Sequence, residues 1–186
     1  MPLAPPPAPV TVRPAYEHEL DLAGAVVVAA YREIGLGVGD GYLAEVADAR
    51  GRAALAEVLV AVDTTGEVLG SVTYARHGSP LAEISSPEEA EFRMLGVDPS
   101  AQGRGAGRAL VSGCLALAHR DGARRLVLST QARSTVAHRL YEQLGFTRSP
   151  GRDWAPGPGV DLMVYTLEVS GSLPAAVPWA AGPAVP

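Results

Sequence analysis

Gly103, Gly105 and Gly107 stand between an apolar run and an amphipathic stretch, and this joint constrains the chain more than any other segment. Phe92, Met94 and Leu95 to Val97 form a short apolar run that Asp98-Pro99 closes. Proline cannot donate to a ladder and pushes the residue before it out of the helical region, so the run reads as the end of a strand. Beyond it Gly107, Leu110, Val111, Cys114, Leu117 and Ala118 recur at helical spacing, which predicts an apolar helix face from about 105 to 119. Without Cβ atoms the glycines let the backbone approach a ligand, and the first turn of a helix offers unpaired N–H groups at the positive end of its dipole. The joint is a cradle for an anion, most simply a pyrophosphate.

Two common phosphate motifs are absent. A Walker A loop needs a lysine after its second glycine, and all fifteen basic residues of this chain are arginine, which argues against nucleoside triphosphate hydrolysis. The dinucleotide fingerprint Gly-x-Gly-x-x-Gly/Ala fails in both registers, at Arg108 and at Leu110, which disfavours a nicotinamide-dependent oxidoreductase. What remains is Gln102-x-x-Gly105-x-Gly107, directly after a strand that ends Val-Asp-Pro.

That pattern resembles the coenzyme A pyrophosphate loop of the GNAT superfamily of acyl-CoA N-acyltransferases. A second segment, Ser134-Thr-Val-Ala137-His-Arg-Leu140-Tyr141-Glu-Gln-Leu144-Gly145-Phe146, is similar to that superfamily's later helix, and the two occur in the right order. The resemblance covers about residues 10 to 169. It implies an α/β (α+β) fold with a mixed, mostly antiparallel central sheet, a parallel splayed strand pair and helices on both faces. Acetyl-CoA would be the co-substrate, with no metal, and a small-molecule or peptide amine the acceptor.

The resemblance also distributes roles. Gln102, Gly103, Arg104, Gly105, Ala106 and Gly107 would bind the pyrophosphate through main-chain N–H groups. Leu95, Gly96 and Val97 would supply a backbone donor to the acetyl oxygen, and such donors need no reorganisation during reaction. Ser134 stands where the superfamily often has an asparagine that bonds the pantetheine arm; its other reading is a helix N-cap. Tyr141 is the candidate acid for the departing thiolate, against the reading of a core tyrosine sharing a stripe with Ala137, Leu140 and Leu144. Glu91, placed at the start of its strand, is the candidate base, since a half-buried carboxylate has its pKa raised. The alternatives are a solvated strand end, an ion partner of Arg93, or proton loss through water.

The rest of the chain fits one domain over 10–169. Residues 1–9 are proline-rich and expected to be disordered, as is the Pro/Ala-rich tail 170–186 with its single Trp179. Val10 to Ala15 reads as a first strand, Leu20 to Ile34 as a helix, and Tyr42 to Leu55 as a second helix entered through Gly35 to Gly41. Val58–Val62 and Val68–Ala75 flank the turn Asp63-Thr-Thr-Gly66 as a hairpin, residues 76–90 form a polar loop, and Arg125–Thr130 is a strand. Phe146–Trp154 and Val160–Val169 read as a closing hairpin whose connection, Arg152 to Gly159, overhangs the site. Tyr42, Trp154, Asp40 and Asp153 are the side chains expected near the acceptor.

A net charge of −5 with no basic tract argues against nucleic acid. No apolar stretch reaches the roughly 20 residues of a membrane span, and a lone Cys114 forms no internal disulfide. These features lead to the expectation of a cytoplasmic protein, with a homodimer as the default assembly. His18, His77, His119 and His138 lack metal-ligand spacing, so no metal site is expected. The competing functional class is a non-catalytic acyl-CoA-binding sensor.

Overall fold

A computed structural model of the chain describes residues 9–35 and 39–169; the proline-rich start, Gly37 and the tail with Trp179 lie outside the described residues. The strands are β1 (Thr11–Pro14), β2 (Glu57–Val62), β3 (Val68–Arg76), β4 (Glu89–Val97), β5 (Arg125–Gln131), β6 (Thr147–Arg148), β7 (Trp154–Gly157) and β8 (Val160–Glu168). The helices are α1 (Leu20–Glu33), α2 (Asp40–Ala47), α3 (Ala49–Ala53), α4 (Ala106–Arg120) and α5 (Thr135–Gln143).

β2 is a nearly unbroken apolar run and β3 is buried at every residue but its last, as strands covered on both faces are, and the two-residue period divides their side chains between the faces. Leu59 and Ala61 of β2 join Val12, Val72, Leu110 and Cys114 in the larger core, beneath α4. Val58, Val60 and Val62 turn the other way and pack with Leu20 and Ala23 of α1 and Ala49 of α3. Helices therefore cover both faces. The order within the sheet is β1-β2-β3-β4-β5-β8-β6, with β7 on β8. β4 and β5 run parallel and the other paired neighbours run antiparallel.

Two irregularities in the sheet shape its centre. The parallel ladder of β4 and β5 holds only from Glu89, Ala90 and Glu91 against Arg125, Leu126 and Val127. Past these residues the strands splay, and a wedge opens between Phe92–Val97 and Leu128–Gln131. On its other edge β4 carries one residue too many: Ser71 pairs with Gly96 and Thr73 with Arg93, so Met94 and Leu95 oppose Val72 alone. Met94 takes φ +53°, the only positive φ of a non-glycine among the described residues. In such a bulge the extra residue is left out of the ladder and its main-chain groups are released.

Several sequence expectations are corrected here. The stretch from Tyr42 to Leu55 is two short helices, because Asp48 leaves helical geometry and its carboxylate accepts the Gly51 N–H at 2.8 Å, capping a new helix. The closing hairpin is broken: Pro150 opens a 3-10 turn between β6 and β7, and both pair with β8. β4 begins at Glu89, so Glu91 lies within the strand rather than at its start. Trp154 to Gly157, read as connection, is itself a strand. Among the described residues no helix is long and apolar enough to cross a membrane.

Candidate active site

The wedge between β4 and β5 opens into a cavity of about 440 Å³. Phe92 to Leu95 form one side, Leu128 to Gln131 the facing side, and Ser134, Ala137 and Tyr141 of α5 close it from the helix layer. Pro156 and Gly157 of β7 reach its rim, as expected of the segment between Arg152 and Gly159. The remaining wall comes from Tyr31 of α1 and Ile34 just after it, from Gly39 with Tyr42 and Glu45 of α2, from Glu83, and from Val160 and Leu162 of β8.

The glycine loop follows β4 without interruption. A 3-10 turn at Pro99–Ala101, started by the Asp98 carboxylate accepting the Ser100 N–H at 2.8 Å, lifts the chain out of the sheet. Gly103 and Gly105 then take φ +78° and +87°, conformations costly for residues with a Cβ. Gly105 is the N-cap of α4 and no side chain caps the helix, so its first-turn N–H groups remain open. Space above them is clear, with no atom within 4 Å of a Cβ built at Gly103 or Gly105. An open set of main-chain donors at a helix start fits a pyrophosphate. Ala106 is buried, and Gly107 brings the start of α4 against α5, since a Cβ there would lie 3.2 Å from Leu140 Cδ2. Arg104 turns back from the loop to pair with Asp63 at 2.9 Å, tying it to the β2–β3 turn.

The residues expected around the thioester separate into three groups. Leu95, Ser134 and Tyr141 meet on the cavity wall. Gly96 faces α1 instead: a Cβ there would lie 2.7 Å from Val27 Cα, so the glycine lets α1 lie close on β4. Val97 approaches the start of α4 near Gly107. Ser134 occupies the N-cap position of α5, yet its hydroxyl makes no capping bond. Tyr141 is 5% exposed, and its hydroxyl has no hydrogen-bond partner among the described residues. Burial pushes that phenol well above its ordinary pKa, so it stays protonated. Its ring packs edge-on to Phe92 at 5.8 Å.

Glu91 is not on the cavity wall. It is 1% exposed, and its Oε2 accepts the N–H groups of Glu83, Ile84 and Ser85 at 2.9, 2.9 and 3.2 Å. Burial raises its pKa, against the opposing pull of those donors. Arg93, the other expected partner of Glu91, pairs with Glu83 at 3.0 Å. The pairing follows strand geometry, because Glu91 and Arg93 project from the same face of β4 toward the 81–85 turn. Arg52 lies under the bulge, 3% exposed, donating from Nη1 to Met94 Sδ at 3.1 Å.

Of the residues expected near the acceptor, Tyr42 lines the cavity, whereas Asp153 is spent on Arg148 and on the Val164 N–H. Trp154 is not among the wall residues, and the side chain of Asp40 lies outside what the structure describes. Tyr31, Glu45, Glu83 and Arg93 complete that wall. Tyr31 was legible only as one position in a helical apolar stripe, and no periodicity marks Glu83 in its polar loop.

The sequence and the fold were compared with known proteins. The model of the family described as "Acetyltransferase (GNAT) family" matches residues 37–146, more than half of the chain. A mycothiol acetyltransferase from Cellulomonas flavigena is 46% identical over 88 residues, which is 45% of this chain and 25% of that protein. The chain thus spans about a quarter of the length of the curated relatives it matches. Among solved structures, an acetyltransferase of GNAT family from Staphylococcus aureus Mu50 superposes with TM-score 0.68 at 11% identity, covering 87% of this chain and 99% of its own. A Salmonella typhimurium protein, solved with its cofactor acetyl-CoA, superposes with TM-score 0.61 at 22% identity, covering 90% and 98%.

Proposed function

Because the chain belongs to the acetyltransferase (GNAT) family, we propose that it moves an acetyl group from acetyl-CoA to a primary amine by direct attack in the β4–β5 wedge. One observation carries the reading: the bulged stretch Met94–Leu95 of β4 and Tyr141 of α5 line one cavity, and the same strand leads on through Asp98 to the uncapped main-chain donors at Gly103–Gly107. Holding donor and acceptor together on that path supplies several kcal/mol of the barrier.

In this reading Gln102 to Gly107 bind the pyrophosphate and the Ser134 hydroxyl is free for the pantetheine arm. A backbone N–H near Leu95 receives the acetyl oxygen as it becomes an oxyanion. The amine nitrogen forms the C–N bond, the C–S bond breaks, and the Tyr141 hydroxyl gives its proton to the departing thiolate. A primary ammonium has a pKa of roughly 10, so the acceptor must first lose a proton. With Glu91 turned to the backbone of residues 83–85, the support is for loss of that proton through water. The surplus proton from the amine then restores Tyr141.

Small molecules fit the wedge better than folded protein chains, because about 440 Å³ must also take the acetyl group and part of its arm. The buried free thiol of Cys114 supports a reducing, cytoplasmic setting, and a homodimer is the default assembly. Mass spectrometry of amines incubated with acetyl-CoA and the protein tests the reading. Products heavier by one acetyl group are expected. Acetyl-CoA binding without any acetylated amine would favour the sensor class instead.

A further inference from the structure

The acceptor side of the cavity carries chemistry that acetyl transfer alone leaves unspecified. Tyr31 and Tyr42 stack with ring centroids 6.4 Å apart and planes 14° from parallel. Both line the cavity, as do Glu45 and Glu83, and among the described residues the only other charged side chain on its wall is Arg93. Arg93 pairs with Glu83, whereas Glu45 has no ion-pair partner among the described residues. On the surface of the wall two carboxylates stand against one guanidinium, and a second guanidinium, Arg52, is buried behind Met94. Aromatic faces beside carboxylates attract cations and gain nothing from an anion.

The position of Glu83 is built rather than incidental. Its own N–H and those of the next two residues converge on Glu91 Oε2. Arg93 Nη1 also holds the Leu81 carbonyl at 3.0 Å, and Arg152 Nη2 holds the Ile84 carbonyl at 2.7 Å. Three buried or half-buried side chains thus grip the main chain of one short polar turn. The turn in consequence presents the Glu83 carboxylate to the cavity. Glu91 is unusual among them, since a carboxylate taken out of water is costly unless it is well bonded, and here the bonds it makes are to that turn.

We propose that the acceptor is a compact amine bearing a second positive charge, received by Glu45 and Glu83 against the faces of Tyr31 and Tyr42. Glu91 is a positioning residue that presents Glu83 by holding residues 83–85. The proposal rests on the acetyl-transfer reading and narrows its substrate class. Compactness follows from the shared volume, and the second charge from the two carboxylates that line the cavity surface against Arg93 alone, with Arg52 buried behind Met94.

Three amines of equal length test it with the full chain and saturating acetyl-CoA: 1,5-diaminopentane, pentylamine and 5-aminopentanoate. Release of free thiol reads the rate. The diamine should exceed pentylamine by about tenfold in kcat/KM, with 5-aminopentanoate lowest. Glu45→Gln, on an exposed helix surface, and Glu83→Gln should each narrow the ratio of diamine to pentylamine. Glu91→Ala should narrow it as well, and Glu91→Gln, which keeps an oxygen for the same N–H groups, should restore it. A merely structural role for Glu91 would lower both rates and leave their ratio alone. Equal rates for diamine and pentylamine, a preference for 5-aminopentanoate, an unchanged ratio in Glu83→Gln, or turnover of none of the three by protein that binds acetyl-CoA would each overturn the proposal. Failure to bind acetyl-CoA, read by calorimetry, would sink the transfer reading beneath it.

Discussion

The glycine loop at Gln102–Gly107 and the tyrosine wall at Tyr31 and Tyr42 stand at the two ends of the proposed substrate path and are made of different materials. The loop offers main-chain donors, held by turn geometry at Gly103 and Gly105 and by a helix start that no side chain caps. The wall offers side chains from α1, from α2 and, much further along the chain, from the 81–85 turn. Main-chain donors read charge and shape common to every coenzyme A ester. Side chains on separate elements can change one at a time without disturbing the donor end. In the proposed reading the difference teaches that donor recognition is local and general, whereas acceptor recognition is assembled and particular.

The comparison breaks most sharply at Tyr141, a side chain on which the donor half depends in the proposed reading. Tyr141→Phe removes one hydroxyl with no hydrogen-bond partner among the described residues, so folding should be nearly unaffected. Turnover should nevertheless fall by about 10², with acetyl-CoA affinity kept; steady-state kinetics beside calorimetry separates the two. Gly96→Ala addresses the joint between the halves. Its Cβ would lie 2.7 Å from Val27 Cα, forcing α1 away from β4 at a cost of about 1–3 kcal/mol. Because α1 carries Tyr31, the acceptor KM should rise before donor affinity falls, and thermal melts with both titrations would show the order.

A smaller effect belongs to the closed end of the β4–β5 pair, where the wedge begins. Glu89 is 3% exposed and bonded by Arg152 at 2.9 Å from both Nη1 and Nη2. Burial pushes its carboxyl up, but Arg152 and Ser86 outweigh burial, and its pKa lies below the ordinary 4.5. A lowered carboxylate contributes stability that is present above the unfolded value and is lost as pH falls through the folded one. Melting midpoints should therefore decline below about pH 4.5, less steeply in Glu89→Gln. The smallest effect is expected at Arg104, a partly exposed ion partner of Asp63. Arg104→Gln should change stability by about 0–1 kcal/mol and weaken acetyl-CoA only a few-fold, since the donors proper are main chain.

How much of this was legible in the sequence follows the same division. The strand stop at Asp98-Pro99, the glycine spacing and the apolar face of α4 are local signals, and the structure has the strand, loop and helix in that place. The Tyr141 helix and the hairpin around Asp63 were legible for the same reason. The bulge at Met94 was not, because an extra residue in β4 exists only against the register of β3. The partners of Glu91 were hidden too: a carboxylate bonded to three main-chain N–H groups of a turn leaves no side-chain pattern to read. Glu83 and Glu45 carry no periodic signal, and the break at Asp48 depends on a cap formed within one turn. Local chemistry shows in one sequence; surfaces assembled from distant elements do not.

The central claim is that open main-chain donors at the start of α4 hold acetyl-CoA, and calorimetric titration of acetyl-CoA into the wild-type chain and into Gly105→Val tests it most directly. Gly105 sits at φ +87° with open space above it, so valine adds both backbone strain and bulk over the donors. The account predicts one binding event per wild-type chain and an affinity lower by about tenfold or more in the variant, with circular dichroism showing the same folded spectrum in both. Equal affinity in the two proteins, or no binding by the wild-type chain, would contradict it.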